Sequence, residues 1–401
     1  MFMLDKAVTG SRRYWLWLAF LLLVIAAGCL CYSRQLSYGL GLTGMSRDIS
    51  WGIYIGQFTF FVGIAASAVM VVLPYYLHDV KEFGKVTILG EFLAISAVVM
   101  CMLFILVDMG QPARVLNVLL YPTLHSMMFW DMLSLSGYLL LNVVISAVML
   151  DCEYKGVQPP RWLHAVILLS IPWAVSIHTV TAFLYCGLPG RSLWLTAILA
   201  PRFLASAFAS GPALLLLLCL GLRRITSFDV GDEAIRKLGV IVAYAMSINV
   251  FFLLVELFTA LYSHRPEESA SLAYLYIGLK GKHPLAPYMW LSAVLAAVSL
   301  IALLVPKLRN DKRILALASV FVFVSLWLDK GVGLIIGGFV PSPLGAVAGY
   351  TPSAPELTIV AGVWAIGAVL LTVFYKVTVA VRETTQAATQ LQAASGSERY
   401  G

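Results

Sequence analysis

Apolar stretches of roughly 20 residues recur along this chain from one end to the other, separated by short connections that hold most of its Lys and Arg. That length carries a helix across a bilayer. A bilayer interior offers no hydrogen-bond partners, so each stretch must satisfy its own backbone as a helix. The pattern predicts spans over 14–32, 50–77, 86–107, 126–150, 163–185, 202–222, 238–262, 286–305, 314–339 and 356–380. The sixth is the least regular, because Pro201 and Pro212 interrupt it. The fold class is therefore all-α, a polytopic transmembrane helix bundle of about ten spans. The bundle occupies residues 1–381, and 382–401 form a polar, mobile cytoplasmic tail. Met1–Tyr14 lacks a small-residue cleavage site before a full-length span, so the first span is expected to be retained.

Composition agrees: 61% of the 401 residues are hydrophobic and only 12% are charged, about half the charged share of a soluble domain. The net charge of +7 does not point to nucleic acid, because the basic residues sit in connections between spans. Counted by side, 18 Lys and Arg fall at the N-terminus, in the loops after even-numbered spans and in the tail, against 8 in the loops after odd-numbered spans; Lys330 lies within a span. The positive-inside rule then places both termini in the cytoplasm. The loops on the other side (39–50, 108–126, 185–201, 263–287 and 341–355) are longer and rich in Gly, Pro and aromatic residues, as expected where a partner or ligand is handled.

Six cysteines form no CxxC pair, which excludes an iron–sulfur motif and gives no disulfide framework. His78, His125, His164, His264 and His283 lie in loops or at span ends and only His178 lies deep, so a bis-histidine haem is not expected. No metal site is predicted. The small residues Gly52, Gly56 and Gly63, and Gly333 with Gly337, share helix faces and suit close backbone packing.

Ionisable residues within spans are costly and are functional candidates by default. They are Glu91, Asp108, Asp131, His178, Glu256, Asp329 and Lys330. All but Glu91 fall toward the long-loop side, as a shared polar pocket would require. Asp131, Ser134, Tyr138 and Asn142 follow one helix face. That stripe suits a proton path and equally suits an interhelical hydrogen-bond seam. Asp329 and Lys330 equally suit a pair that neutralises itself. Trp51 and Tyr54, three apart, are expected to share one wall of a slot.

The residues also resemble a known family. Gly41-Leu42-Thr43-Gly44-Met45, Asp48-Ile49-Ser50-Trp51-Gly52-Ile53-Tyr54, Asp108-Met109-Gly110-Gln111-Pro112-Ala113-Arg114 and Phe129-Trp130-Asp131 resemble the NrfD/PsrC family of membrane subunits. The ten-span length is similar to its longer branch. Ser46-Arg47-Asp48 and Val71–His78 resemble the DsrP branch, from DsrMKJOP-type complexes of sulfur metabolism. The resemblance implies a subunit of a respiratory complex in a prokaryotic cytoplasmic membrane. It implies that a quinone, menaquinone by this analogy, is oxidised or reduced near the extracytoplasmic face against a ferredoxin-like, DsrO-like iron–sulfur partner. On this reading Asp131 and Arg114 are catalytic, with Trp51, Tyr54, His178 and Glu256 against the quinone. Glu91, Ser134, Tyr138, Asn142, Asp108, Asp329 and Lys330 form a proton path. A secondary transporter and a purely structural anchor are the alternatives.

Overall fold

The computed structural model describes residues 6–226, 228–263 and 265–397; His264 lies outside them. Among the described residues every regular element is helical, and ten helices are long and apolar enough to cross a membrane. They are α1 (Arg12–Tyr38), α2 (Ile53–Leu77), α3 (Thr87–Asp108), α4 (Met127–Lys155), α5 (Arg161–Cys186), α6 (Leu199–Ile225), α7 (Asp232–Tyr262), α8 (Ala286–Leu304), α9 (Lys312–Gly337) and α10, whose membrane-length part is Ala354–Thr385. The protein is a multi-pass integral membrane protein. Exposed Leu16, Phe20, Leu23 and Leu30 on α1 and Phe251, Leu254 and Phe258 on α7 are ordinary for helices that face lipid.

The helices pack as two four-helix bundles. α2–α5 form one and α6–α9 the other, joined where α2 meets α6 and α9, while α10 lies along α1 and α3. Both Pro201 and Pro212 lie inside a continuous α6. Pro201 falls in the first turn, where its missing N–H has no partner to lose. The irregularity that the two prolines suggest is thus not a break. The real breaks occur elsewhere. α2 opens at Ala66–Ala68, where the amides of Ala66 and Ser67 bond to carbonyls three residues back. α9 widens into a π-helical turn over Trp327–Gly333; such turns recur at functional sites.

Glycine decides how closely the bundles meet. A Cβ on Gly56 would overlap the carbonyl oxygen of Gly331, and one on Gly63 would stand 3.4 Å from Lys330 Nζ. α2 therefore touches α9 backbone to backbone. Gly333 and Gly337 face Met289 and Leu275 instead. Because the atom opposite Gly56 is main chain, it cannot swing aside. We expect Gly56→Val to cost on the order of 1–3 kcal/mol and to lower the melting temperature of the detergent-solubilised protein. An unchanged melting curve would show that the helices separate freely.

The long loops are anchored by Glu356, which is fully buried at the start of α10. Its Oε2 accepts from the amides of Gly44 (2.6 Å) and Ser353 (2.9 Å), and its Oε1 accepts from the Tyr350 hydroxyl (2.8 Å). The Ser353 Oγ accepts from the Glu356 amide in return, a reciprocal capping box. Burial, then the charge of Glu356, raises the Tyr350 pKa, so the phenol keeps the proton it donates; its oxygen accepts from the Ile53 amide. The segment before α2 is thus fixed to α10. At the far end the helix runs on to Ser397, with Arg382 buried against Glu153 at 2.7 Å.

Candidate functional site

Asp131 lies one turn into α4, buried, and its Oδ1 accepts from the Thr181 hydroxyl on α5 at 2.6 Å. On α5, His178, Thr181 and Tyr185 recur at three- and four-residue intervals and so share a face. All three are fully buried. The Tyr185 hydroxyl bonds to that of Thr59 on α2. Neither nitrogen of His178 has a hydrogen-bond partner among the described residues. A buried imidazole with two unmade hydrogen bonds is costly and calls for a ligand or water.

Aromatic residues roof this group. Trp51 stacks on Trp194 at 5.9 Å between centroids and meets Tyr185 edge-on at 5.7 Å and Phe339 at 5.8 Å. The Trp194 indole donates to the carbonyl of Leu334 at 2.8 Å, and Arg191 covers the Phe339 ring at 4.4 Å. The roof draws on the segments just before α2 and just after α9 and on the α5–α6 loop.

Several expected residues lie apart from it. Trp51 precedes the helix, which starts at Ile53, so its spacing from Tyr54 does not put them on one wall. Tyr54 instead donates to Gln35 of α1 at 2.8 Å. Arg114, in a short 3-10 turn, is exposed and has no ion pair among the described residues. Asp108 ends α3, with one carboxylate oxygen buried and unpartnered; it does not pair with Arg114. Glu256 belongs to the other bundle.

The polar face of α4 is buried, and its Ser and Asn donors bond within the helix. Ser134 Oγ donates to the carbonyl of Asp131, Asn142 Nδ2 to that of Tyr138, and Ser146 Oγ to that of Asn142. Such back-bonding within one helix occupies the donors a proton wire would need. Besides Asp131, which accepts from Thr181 of α5, Tyr138 crosses between helices, donating to the carbonyl of Ala65 at 3.3 Å, beside the break in α2. Glu91 of α3 is buried with Oε2 unpartnered.

A second charged set occupies the α6–α9 bundle. Arg202 is buried, bonded to Glu256 of α7 and to both carboxylate oxygens of Asp329 at 2.9 and 2.7 Å. Asp329 thus pairs with Arg202 and not with Lys330. The Lys330 ammonium points over the Phe203 ring at 4.1 Å and has no hydrogen-bond partner among the described residues. The count of Lys and Arg by side places Arg202 with the preceding loop, because it follows Pro201. The signal that identifies it is its position within a continuous α6.

Among the described residues no group of three or more His, Cys, Asp or Glu is placed to hold a metal ion. The chain is a ten-helix membrane subunit with a buried acid, an unpartnered histidine and an aromatic roof at its long-loop end. It belongs to the NrfD family: the family model for polysulphide reductase, NrfD, matches residues 41–340. It is 29% identical to a putative dimethyl sulfoxide reductase membrane subunit of Halobacterium salinarum, over 90% of this chain and 89% of that one. It is 24% identical to the Hdr-like menaquinol oxidoreductase integral membrane subunit of Archaeoglobus fulgidus, over 88% and 90%. It is 20% identical to the menaquinone reductase integral membrane subunit of Nitratidesulfovibrio vulgaris, over 91% of each.

Proposed function

We propose that this chain is the quinone-reactive membrane subunit of a multisubunit oxidoreductase in a prokaryotic cytoplasmic membrane, and that it exchanges electrons between menaquinone and an iron–sulfur partner docked on the long loops. The observation that carries the reading is His178, wholly buried with both imidazole nitrogens free, on the same helix face as the Thr181 that holds Asp131. A quinone needs an apolar, aromatic slot with a few polar groups aimed at its oxygens. His178 supplies a donor to one oxygen, Asp131 an acceptor for a quinol proton, and Trp51 with Tyr185 a wall for the ring. The names of two relatives, a menaquinol oxidoreductase and a menaquinone reductase subunit, support menaquinone as the quinone. On this reading the long-loop end faces outward and both termini lie in the cytoplasm. The resemblance to the DsrP branch points to sulfur-linked electron transfer in a DsrMKJOP-type complex with a DsrO-like partner. Arg114, exposed on a long loop, suits contact with that partner better than contact with the quinone.

The test is a fluorescence-quenching titration of the purified complex with a hydroxyquinoline N-oxide, a menaquinol analogue. We expect one site per complex, with affinity roughly tenfold weaker in Trp51→Leu, the loss of one aromatic contact of about 1.4 kcal/mol. No saturable binding would leave the chain a structural anchor.

A further inference from the structure

Three buried polar groups without partners lie along the seam between the two bundles: Glu91 Oε2, Ser67 Oγ and Lys330 Nζ. Lys330 is the nearest of them to the quinone site, its ammonium over Phe203, whose ring meets Tyr185 at 5.9 Å. Each is at least nine-tenths buried. Their surroundings connect them. Glu91 begins at the short-loop end, beside Gly90, which is pressed against Ala68 in the break of α2. Ser67 occupies that break and packs on Gly211 of α6, where a Cβ would stand 2.9 Å from the Ser67 amide nitrogen. Ser210, the residue before Gly211, flanks Gly63 together with Lys330 Nζ; a Cβ on Gly63 would lie 3.4 Å from each.

Beyond Lys330 the line continues through cavities. Arg202, Phe203, Ser206, Asp329 and Lys330 bound a gap too tight for water, so passage there runs through side chains. Next comes a throat of about 20 Å³ against Arg202, Glu256, Asp329 and Tyr276, walled by leucines. That is room for one water and too small for a quinone ring. Glu256, Leu193 and Leu272 also line a neighbouring cup of about 210 Å³, whose polar residues include Thr196, Thr259, Arg265 and Glu268. Arg265 pairs with Glu268 at its rim, 2.6 Å apart.

We propose that this seam conducts protons from Glu91 through Ser67, Lys330, Asp329 and Glu256 to the cup at Arg265 and Glu268, by a line separate from the quinone site. The inference rests on the quinone reading for its driving force. Each hop moves one proton and changes no other bond. The Lys330 ammonium gives one proton to the Asp329 carboxylate, Asp329 passes it on to the Glu256 carboxylate, and the Lys330 amine takes its replacement from the Glu91 side. The breaks in α2 and α9 fall on this line because they are where backbone and side chains leave room for polar groups at membrane depth.

The test uses the whole complex in liposomes, turned over with menadiol and a soluble electron acceptor, with a pH-sensitive dye reading proton movement. The wild type is expected to move more protons than the two that each quinol itself releases. Glu91→Gln and Lys330→Met are expected to hold electron transfer within about twofold while the proton count falls to those two. Ser67→Ala, which removes one hydroxyl and little volume, is expected to remove at least half of the excess even if the charged variants fail to assemble. A complex that oxidises no quinol refutes the quinone reading. One that oxidises quinol and releases only the chemical two, or whose three variants keep the full excess, refutes the conduit. Loss of electron transfer in assembled Lys330→Met would show that the line and the quinone site are one, and would overturn the proposal equally.

Discussion

Asp131→Asn is expected to lower quinol-linked electron transfer by at least about a hundredfold while the complex assembles at normal levels. The magnitude is that of a positioned general base, about 10²–10⁴. Quinol oxidation releases two protons with two electrons, and a buried site has no bulk water to take the first. Asp131 is a buried carboxylate of the α2–α5 bundle, and Thr181, on the helix face that carries His178 and Tyr185, holds it by a 2.6 Å hydrogen bond. Asparagine has the same shape, and its amide oxygen accepts that bond equally well, so packing survives and only the base is lost. Thr181→Val separates position from chemistry. It leaves the carboxylate in place and removes its tether, so the loss should be smaller, roughly tenfold, and partly restored by serine. Stopped-flow reduction of the iron–sulfur partner by a menaquinol analogue measures both. Normal rates in fully assembled Asp131→Asn would move the proton acceptor elsewhere and sink the assignment.

What is legible in the sequence follows from what short-range rules govern. The ten spans are readable because length and hydropathy alone decide membrane insertion, and their bounds differ from the helices by up to six residues, except that the last helix runs on to Ser397. Asp131 and His178 are conspicuous because charge and imidazole are rare at depth. Partners are not readable in this way. Asp329 and Lys330 look like a pair in sequence, yet neighbours on a helix point in different directions. Each had to find its own partner, and for Asp329 that is Arg202, 127 residues away in sequence. Trp51 and Tyr54 share a face only if the helix already includes Trp51; Gly52 delays it to Ile53. The α4 stripe has helical spacing, but Ser134 and Asn142 donate to their own helix backbone, a competition that spacing cannot reveal. Ser353-Ala354-Pro355-Glu356 carries a local signal, since Ser three residues before Glu marks a helix start; its further reach to Gly44 has none.

The other large effect is expected at Arg202. Its guanidinium is the bonded counter-ion of two buried carboxylates, Glu256 and Asp329. Arg202→Leu would leave both without it in a wall of leucines. Removing one member of a buried ion pair costs about 3–5 kcal/mol, and here two partners are stranded together. Lys330 does not substitute. Its ammonium rests over Phe203 and beside Gly63; the proton it passes to Asp329 in transit is not a standing counter-charge, and one ammonium cannot hold two carboxylates. We therefore expect Arg202→Leu to abolish accumulation of the assembled complex in membranes, measured by quantitative immunoblot of the solubilised, size-separated complex. The opposite sign is expected when all three charges leave together. Arg202→Leu with Glu256→Gln and Asp329→Asn strands no charge, and replacing a whole buried ionic set is often neutral for stability. Assembly should then return, with the proton excess absent. That pair of results assigns the loss in the single variant to unpaired charge and not to the shape of the arginine. Wild-type levels of the single variant, or no recovery in the triple, would show that the bundle does not depend on this balance.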